Sequence, residues 1–100
     1  MEDITMAQQN HVSGVATTIR TDSEGTTHVQ YHSTNVVSFN PKQIILNTGG
    51  WFTNTTRTRM NQAANQFGLG YSVYQKKFRW FVRYNGKDIP FNGDSVVLAR

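Results

Sequence analysis

Met60, Ala63, Ala64 and Phe67 stand at i, i+3, i+4 and i+7, the spacing that lines one stripe of a 3.6-residue helix. Both ends of that helix are marked. Thr53, Asn54 and Thr55 each carry a short side-chain oxygen able to accept from the free amides of a first turn. Gly68, followed by Gly70, supplies a left-handed residue to close the C-terminus. The spacing predicts a helix around residues 54–67, and the rest of the chain must be arranged about it. Upstream, Gly49-Gly50 allows a sharp entry, and Trp51 and Phe52 are placed to staple onto the first turns.

On either side of the helix the hydrophobic period changes from 3.6 to 2. From Val12, VSGVATTIRT runs into the turn-forming loop Asp22-Ser23-Glu24-Gly25, and THVQYHS returns as its partner. In that partner Val29 and Tyr31 alternate with His28, Gln30 and His32, apolar on one face and polar on the other. NVVSF and QIILN form a second hairpin across Asn40-Pro41. After Gly70 come YSVY, a turn at Gln75-Lys76-Lys77, and FRWFVRY. Asn85-Gly86 is a type I′ signal leading into KDIPF, and Asn92-Gly93-Asp94 turns the chain into SVVLA. Pro90 marks an edge strand, because it has no N–H for a ladder.

The expected class is α+β: a mainly antiparallel sheet of hairpins and a C-terminal meander, in the order β-β-β-β-α-β-β-β-β, with one helix layered on its face. A chain of 100 residues has room for one small core, so residues 12–100 read as a single compact domain. Residues 1–11 show no periodicity and read as a flexible arm.

The charges are segregated. All six carboxylates, Glu2, Asp3, Asp22, Glu24, Asp88 and Asp94, lie towards the ends. Between Gly25 and Lys87 there is no acid, against eight cations: Lys42, Arg57, Arg59, Lys76, Lys77, Arg79, Arg83 and Lys87. The net charge of +4 understates this asymmetry. A one-signed centre concentrates counter-ions and attracts polyanions, although a protein can also be merely basic. The helix adds to the signal, since its polar positions hold Thr58, Asn61, Gln62 and Asn65, with Arg57 and Arg59 at the edges and no carboxylate to make i,i+4 pairs. Amides, hydroxyls and cations suit phosphates and base edges; the alternative is an exposed face that is uncharged by chance.

From Phe78 to Tyr84 the chain alternates. Phe78, Trp80, Val82 and Tyr84 share one face and belong to the core, while Arg79, Phe81 and Arg83 share the other beside the Lys76-Lys77 turn. Rings stack on bases and cations hold phosphates, which is the pattern of a single-strand platform. The competing reading makes Phe81 a second-layer core residue under the helix, with both arginines reaching outward to water.

Other chemistries find little support. His28 and His32 are four apart, but on a strand that places them roughly 13 Å from each other, and no thiol or acid completes a metal site. There is no nucleophile elbow for a Ser-His-Asp triad, and Asp88 and Asp94 flank a turn as solvated groups, not as an acid–base pair. Gly49-Gly50 lacks the spacing of a phosphate-binding loop. With no cysteine there is no disulfide framework, and no run approaches the roughly 18 apolar residues of a membrane span. The start, MEDITMAQQN, is the reverse of a signal peptide. These readings predict a non-enzymatic protein without cofactor, metal or membrane, working in the cytoplasm.

The stretch NTGGWFTNTTRTRMNQAANQFGLGYSVYQKKFRWFV resembles a recurring type of small bacteriophage and prophage protein with no assigned activity. The shared features are the TGGW turn, TTRTRMNQ on the helix, NQFGLGY at its exit, and YQK followed by WFV, and the likeness extends from Tyr31 to Arg83. It implies a phage origin, and therefore a host cytoplasm, and carries over no catalytic residue. Two functions compete. The first is a nucleic-acid-binding module for DNA or RNA, with phosphate contacts from Arg57, Arg59, Lys76, Lys77, Arg79 and Arg83, and with Gln62, Gln66 or the ring of Phe81 touching bases. The second is an effector that blocks a host nuclease, polymerase or defence factor, anchored by Trp51, Phe52 or Tyr74. A minor virion component is a third reading, and requires self-association.

Overall fold

The computed structural model describes residues 12–100, so the arm expected over residues 1–11 lies outside the described residues. The elements follow in the order β1 (Thr17–Thr21), β2 (Thr27–Tyr31), β3 (Thr34–Phe39), β4 (Gln43–Asn47), α1 (Asn54–Phe67), β5 (Tyr71–Lys76), β6 (Arg79–Tyr84), β7 (Lys87–Pro90) and β8 (Ser95–Ala99). The class is α+β with antiparallel pairing throughout, as the periodicities predict.

The expected meander is cut one strand short. Strands β5, β6 and β7 make a three-stranded sheet, but β8 leaves them and pairs with β4 at the end of a five-stranded sheet ordered β1-β2-β3-β4-β8. Two local facts explain the switch. Phe91 N–H turns inward to Trp80 C=O at 3.1 Å, so the nitrogen of Pro90, one residue earlier, faces away from β6 and offers a further strand nothing. Val96 and Leu98 are buried opposite Leu46 and Ile44, which covers the open edge of β4 and adds two side chains to the core.

The first strand also starts late. Residues 12–16 do not continue β1 but run back along the helix, where Val12 N–H donates to Gln66 Oε1 at 2.7 Å and Ser13 N–H to Gln62 Oε1 at 3.4 Å. Left-handed backbone at Gly14 and Ala16, with φ of 122° and 58°, bends the chain away from the strand direction.

The helix lies where both sheets can reach it. Met60, Ala63 and Ala64 are buried together with Val29, Val37, Ile44 and Leu46 of the large sheet and Tyr71, Val73, Trp80 and Val82 of the small one. Thr53 is the N-cap, its Oγ1 accepting from Thr56 N–H at 3.2 Å. Gly68, at φ 62°, ends the helix, and Leu69 N–H bonds back to Ala64 C=O. Burying each large apolar side chain stabilises by about 1.5–3 kcal/mol, more than helix propensity supplies per residue, so the stripe is what holds the helix in place. Tyr71 Oη donates to Met60 C=O at 2.6 Å inside the core, and burial pushes that phenol well above its ordinary range.

Candidate nucleic-acid interface

Strands β5 and β6 are joined by Lys77-Phe78 alone, so Lys76 faces Arg79, Gln75 faces Trp80, Tyr74 faces Phe81 and Val73 faces Val82. This corrects the expected turn at Gln75-Lys76-Lys77 and the placement of Phe78 in the core. Trp80 and Val82 point inward as expected; Phe78 sits at the hairpin tip and is 94% exposed. The inner face closes around Trp80, which meets Phe52 and Phe91 edge-on at 5.2 and 5.8 Å between ring centroids, with the Arg57 guanidinium over its ring at 5.7 Å.

The outer face carries the other half of the alternation. The rings of Tyr74 and Phe81 lie nearly parallel across the strand pair, 5.6 Å between centroids and 17° between planes. Arg79 lies over Phe81 at 5.6 Å and Arg83 over Tyr74 at 5.7 Å. The result is a row of guanidinium, ring, ring and guanidinium on a half-open sheet surface, with Lys76 and Lys77 exposed at its turn end. Phe81 is thus half-buried by its own neighbours on the solvent side, not by the helix.

Asp88 is the acid on this face, and it is engaged, not simply solvated. It accepts from Arg83 through both carboxylate oxygens, at 2.8 Å from Nε and 3.2 Å from Nη2. That two-pronged pairing holds the carboxyl of Asp88 below its usual range and raises Arg83 further. Burial, helped by the neighbouring Asp88, raises the Tyr74 phenol. The charge of Arg83 is therefore matched locally, while Lys76, Lys77 and Arg79 form no ion pair among the described residues.

Arg57 joins this group and Arg59 does not. Arg57 bonds to Gln75 Oε1 at 3.0 Å and to Asn54 Oδ1 at 2.7 Å, and lines a cleft with Tyr74, Gln75, Lys77 and Phe78. Two residues on, roughly 200° around the helix, Arg59 donates to Thr17 Oγ1 at 3.0 Å and lies over the Tyr31 ring at 5.6 Å. It ties the start of β1 to the helix.

The helix amides are likewise engaged by the chain itself, Gln66 from an exposed position. Gln62 has no accessible surface and bonds to Ser13 and Arg59, Gln66 accepts from Val12, and Asn61 brackets the backbone of Val73. The structure therefore gathers Arg57, Lys76, Lys77, Arg79, Phe81 and Arg83 on and around one hairpin, and places Arg59, Gln62 and Gln66 against the N-terminal segment. Tyr74 and Phe78 are the additions that sequence reasoning assigned elsewhere. The shorter turn was the missing signal, since it sets the register that pairs Tyr74 with Phe81.

A second polar constellation lies on the large sheet. His28 Nδ1 is hydrogen-bonded to Ser38 Oγ at 2.7 Å, and His28 Nε2 to Asp22 Oδ2 at 3.0 Å. The order is that of a catalytic triad, but Ser38 is 8% exposed and belongs to β3, which is paired on both sides. Its backbone lies within that ladder, opposite His28 on one side and Ile45 on the other. Asp22 also accepts from Glu24 and Thr26 N–H, so the chain of bonds fastens the β1–β2 loop to the sheet. Among the described residues no group of three or more histidines and acids converges as a metal site, and no helix is long and apolar enough to cross a membrane.

No curated protein and no solved structure matches the chain. A family model, described as Kyanoviridae Gp96 protein, matches residues 1–97. The match takes in the whole hairpin, the helix and both sheets but for the last residues of β8. The chain belongs to the Kyanoviridae Gp96 protein family, a family of phage proteins.

Proposed function

We propose that this phage protein binds single-stranded nucleic acid on the outer face of the β5–β6–β7 sheet, and that it acts by binding, without catalysis. The observation that supports this reading is the row Arg79, Phe81, Tyr74, Arg83 on a surface open to solvent. Aromatic rings offer every base a stacking partner, and cations beside them hold the phosphates between bases. Because Arg83 is matched by Asp88, its part is to shape the face, and phosphate contact falls to Lys76, Lys77 and Arg79, with Arg57 added where the strand passes the cleft at the hairpin tip. Three or four such contacts to a single strand correspond to a slope of about −2 to −3 in log K against log salt.

The test is fluorescence anisotropy of labelled single-stranded DNA, duplex DNA and RNA, each at low and near-physiological salt. The expected result is tighter binding of a single strand than of the duplex, with a slope in that range. Absence of binding at low salt, or unchanged binding after Lys76→Glu with Arg79→Glu, would overturn the reading.

The protein-binding alternative draws on a different surface. Trp51 is 66% exposed beside a cleft lined by Tyr31, His32, Thr34 and Thr53, and aromatics of this kind anchor protein interfaces. A host protein captured from nuclease-treated lysate, and lost in Trp51→Ala but kept in Arg79→Glu, is the result that would favour it.

A further inference from the structure

The small sheet contains two hairpin turns of the same size. Asn85-Gly86 joins β6 to β7 with φ of 51° and 77°; Lys77-Phe78 joins β5 to β6 with φ of 51° and 66°. Both put two successive residues in the left-handed region, as the type I′ turn demands, and the residues that fit there are Asn, Asp and Gly. Asn85-Gly86 follows that rule. Lys77-Phe78 breaks it at both positions, and most heavily at Phe78, where an aromatic side chain stands in a conformation its Cβ disfavours.

The fold recovers nothing from the ring. Phe78 is 94% exposed and, among the described residues, stacks on no other ring. The rigid turn holds it outward between Lys76-Lys77 and Arg79. The clefts on its two sides are lined by Arg57, Tyr74 and Lys77 on one flank and by Phe52, Arg79 and Trp80 on the other, and among the described residues neither contains a carboxylate. An apolar ring raised on a collar of four cations, Lys76, Lys77 and Arg79 within two residues of it in the chain and Arg57 across one cleft, matches the alternation of base and phosphate along a single strand.

We infer that Phe78 is a stacking wedge, inserting between neighbouring bases of a single-stranded nucleic acid whose phosphates lie on Lys76, Lys77, Arg79 and Arg57. The inference rests on the nucleic-acid reading above and adds to it a base-inserting residue at the hairpin tip. It also accounts for a turn that departs from the rule its neighbour keeps.

The experiment compares the wild type with Phe78→Gly, Phe78→Trp and Arg79→Gln, using single-stranded DNA and RNA oligonucleotides carrying 2-aminopurine, titrated at several salt concentrations. Phe78→Gly suits the turn, so its melting temperature will not fall below that of the wild type, and loss of fold cannot explain a loss of binding. Its affinity is expected to drop about tenfold, the scale of one lost base–ring stack, with the salt slope unchanged and the 2-aminopurine response gone. Phe78→Trp is expected to keep both, and Arg79→Gln to lower the slope. Wild-type binding that Phe78→Gly leaves intact overturns the wedge and leaves the platform standing. No binding by the wild type at low salt overturns both. Unchanged oligonucleotide affinity with lost partition onto phosphatidylserine–phosphatidylcholine vesicles overturns the wedge in favour of a membrane contact.

Discussion

The side chain of Asn61 brackets the backbone of Val73, donating from Nδ2 to its C=O at 3.0 Å and accepting from its N–H at 2.8 Å. Val73 belongs to β5, the edge of the small sheet that faces the helix. One amide on α1 therefore does for that edge what another strand would do, and fixes the small sheet, with its candidate site, against the helix. Val73 is 3% exposed, so water is poorly placed to replace either bond. Asn61→Ala is expected to cost about 1–3 kcal/mol, the range for unpairing buried polar groups. Urea unfolding would measure it, and a change within error would show the bracket to be dispensable.

Gly49 is constrained twice. Its φ is 63°, and a Cβ there would lie 2.5 Å from Thr34 Oγ1. Gly49→Ala must strain the left-handed backbone and also displace Thr34, and is expected to destabilise by about 1–3 kcal/mol. Gly50, at φ 88° with open space around its would-be Cβ, is the control: Gly50→Ala meets only the backbone term and should cost less in the same thermal-denaturation series.

The exposed ring of Phe78 predicts a gain. Replacing a residue that its turn disfavours with the one it prefers relieves left-handed strain of about 1–2 kcal/mol, partly offset by the added freedom of glycine in the unfolded chain. Phe78→Gly should therefore raise the melting temperature or leave it unchanged. Asn85→Phe, which writes the same misfit into the other turn, should lower it.

Acid should loosen the β1–β2 loop. The hydrogen bond to His28, with the N–H groups of Thr26 and Glu24, holds the Asp22 carboxyl below its ordinary value. A carboxyl whose folded pKa is depressed adds stability that is complete above its unfolded value, near 3.9, and is lost as pH falls through the folded value. Asp88, lowered by Arg83, acts in the same direction. The denaturant midpoint should fall as pH drops below about 4, and Asp22→Asn should flatten that dependence. A midpoint equally steep in the variant would assign the acid sensitivity elsewhere.

Arg59 and Arg79 separate stability from binding. Arg59 is bound to Thr17 and packed on Tyr31, so Arg59→Met should lower stability by about 1 kcal/mol, the scale of a lost hydrogen bond, and leave the salt slope of nucleic-acid binding alone. Arg79, exposed and without an ion-pair partner among the described residues, should behave the other way. Melting curves and salt titrations on the two variants together check both statements.

Much of this was legible in the chain. The stripe of Met60, Ala63, Ala64 and Phe67, with Gly68 at its end, placed the helix around residues 54–67, because period and caps are local properties, and the structure chose Thr53 as the cap from among Thr53, Asn54 and Thr55. Period-2 alternation and Asn85-Gly86 located the strands and one hairpin, and counting outward from that turn would also have set Arg83 opposite Asp88. The separation of charges likewise belongs to the sequence alone. The tertiary structure decided where the polar side chains go. Asn61, Gln62, Gln66 and Arg59 look like a ligand-facing set on an isolated helix, yet each finds a partner at least 12 residues away or more, and no periodicity records that. The switch of β8 to the large sheet and the two-residue turn at Lys77-Phe78 were hidden for the same reason. Strand pairing is a contest between non-local partners, settled by which arrangement buries Val96, Leu98, Trp80 and Val82 at once, even when the turn that results puts a phenylalanine where glycine would sit more easily.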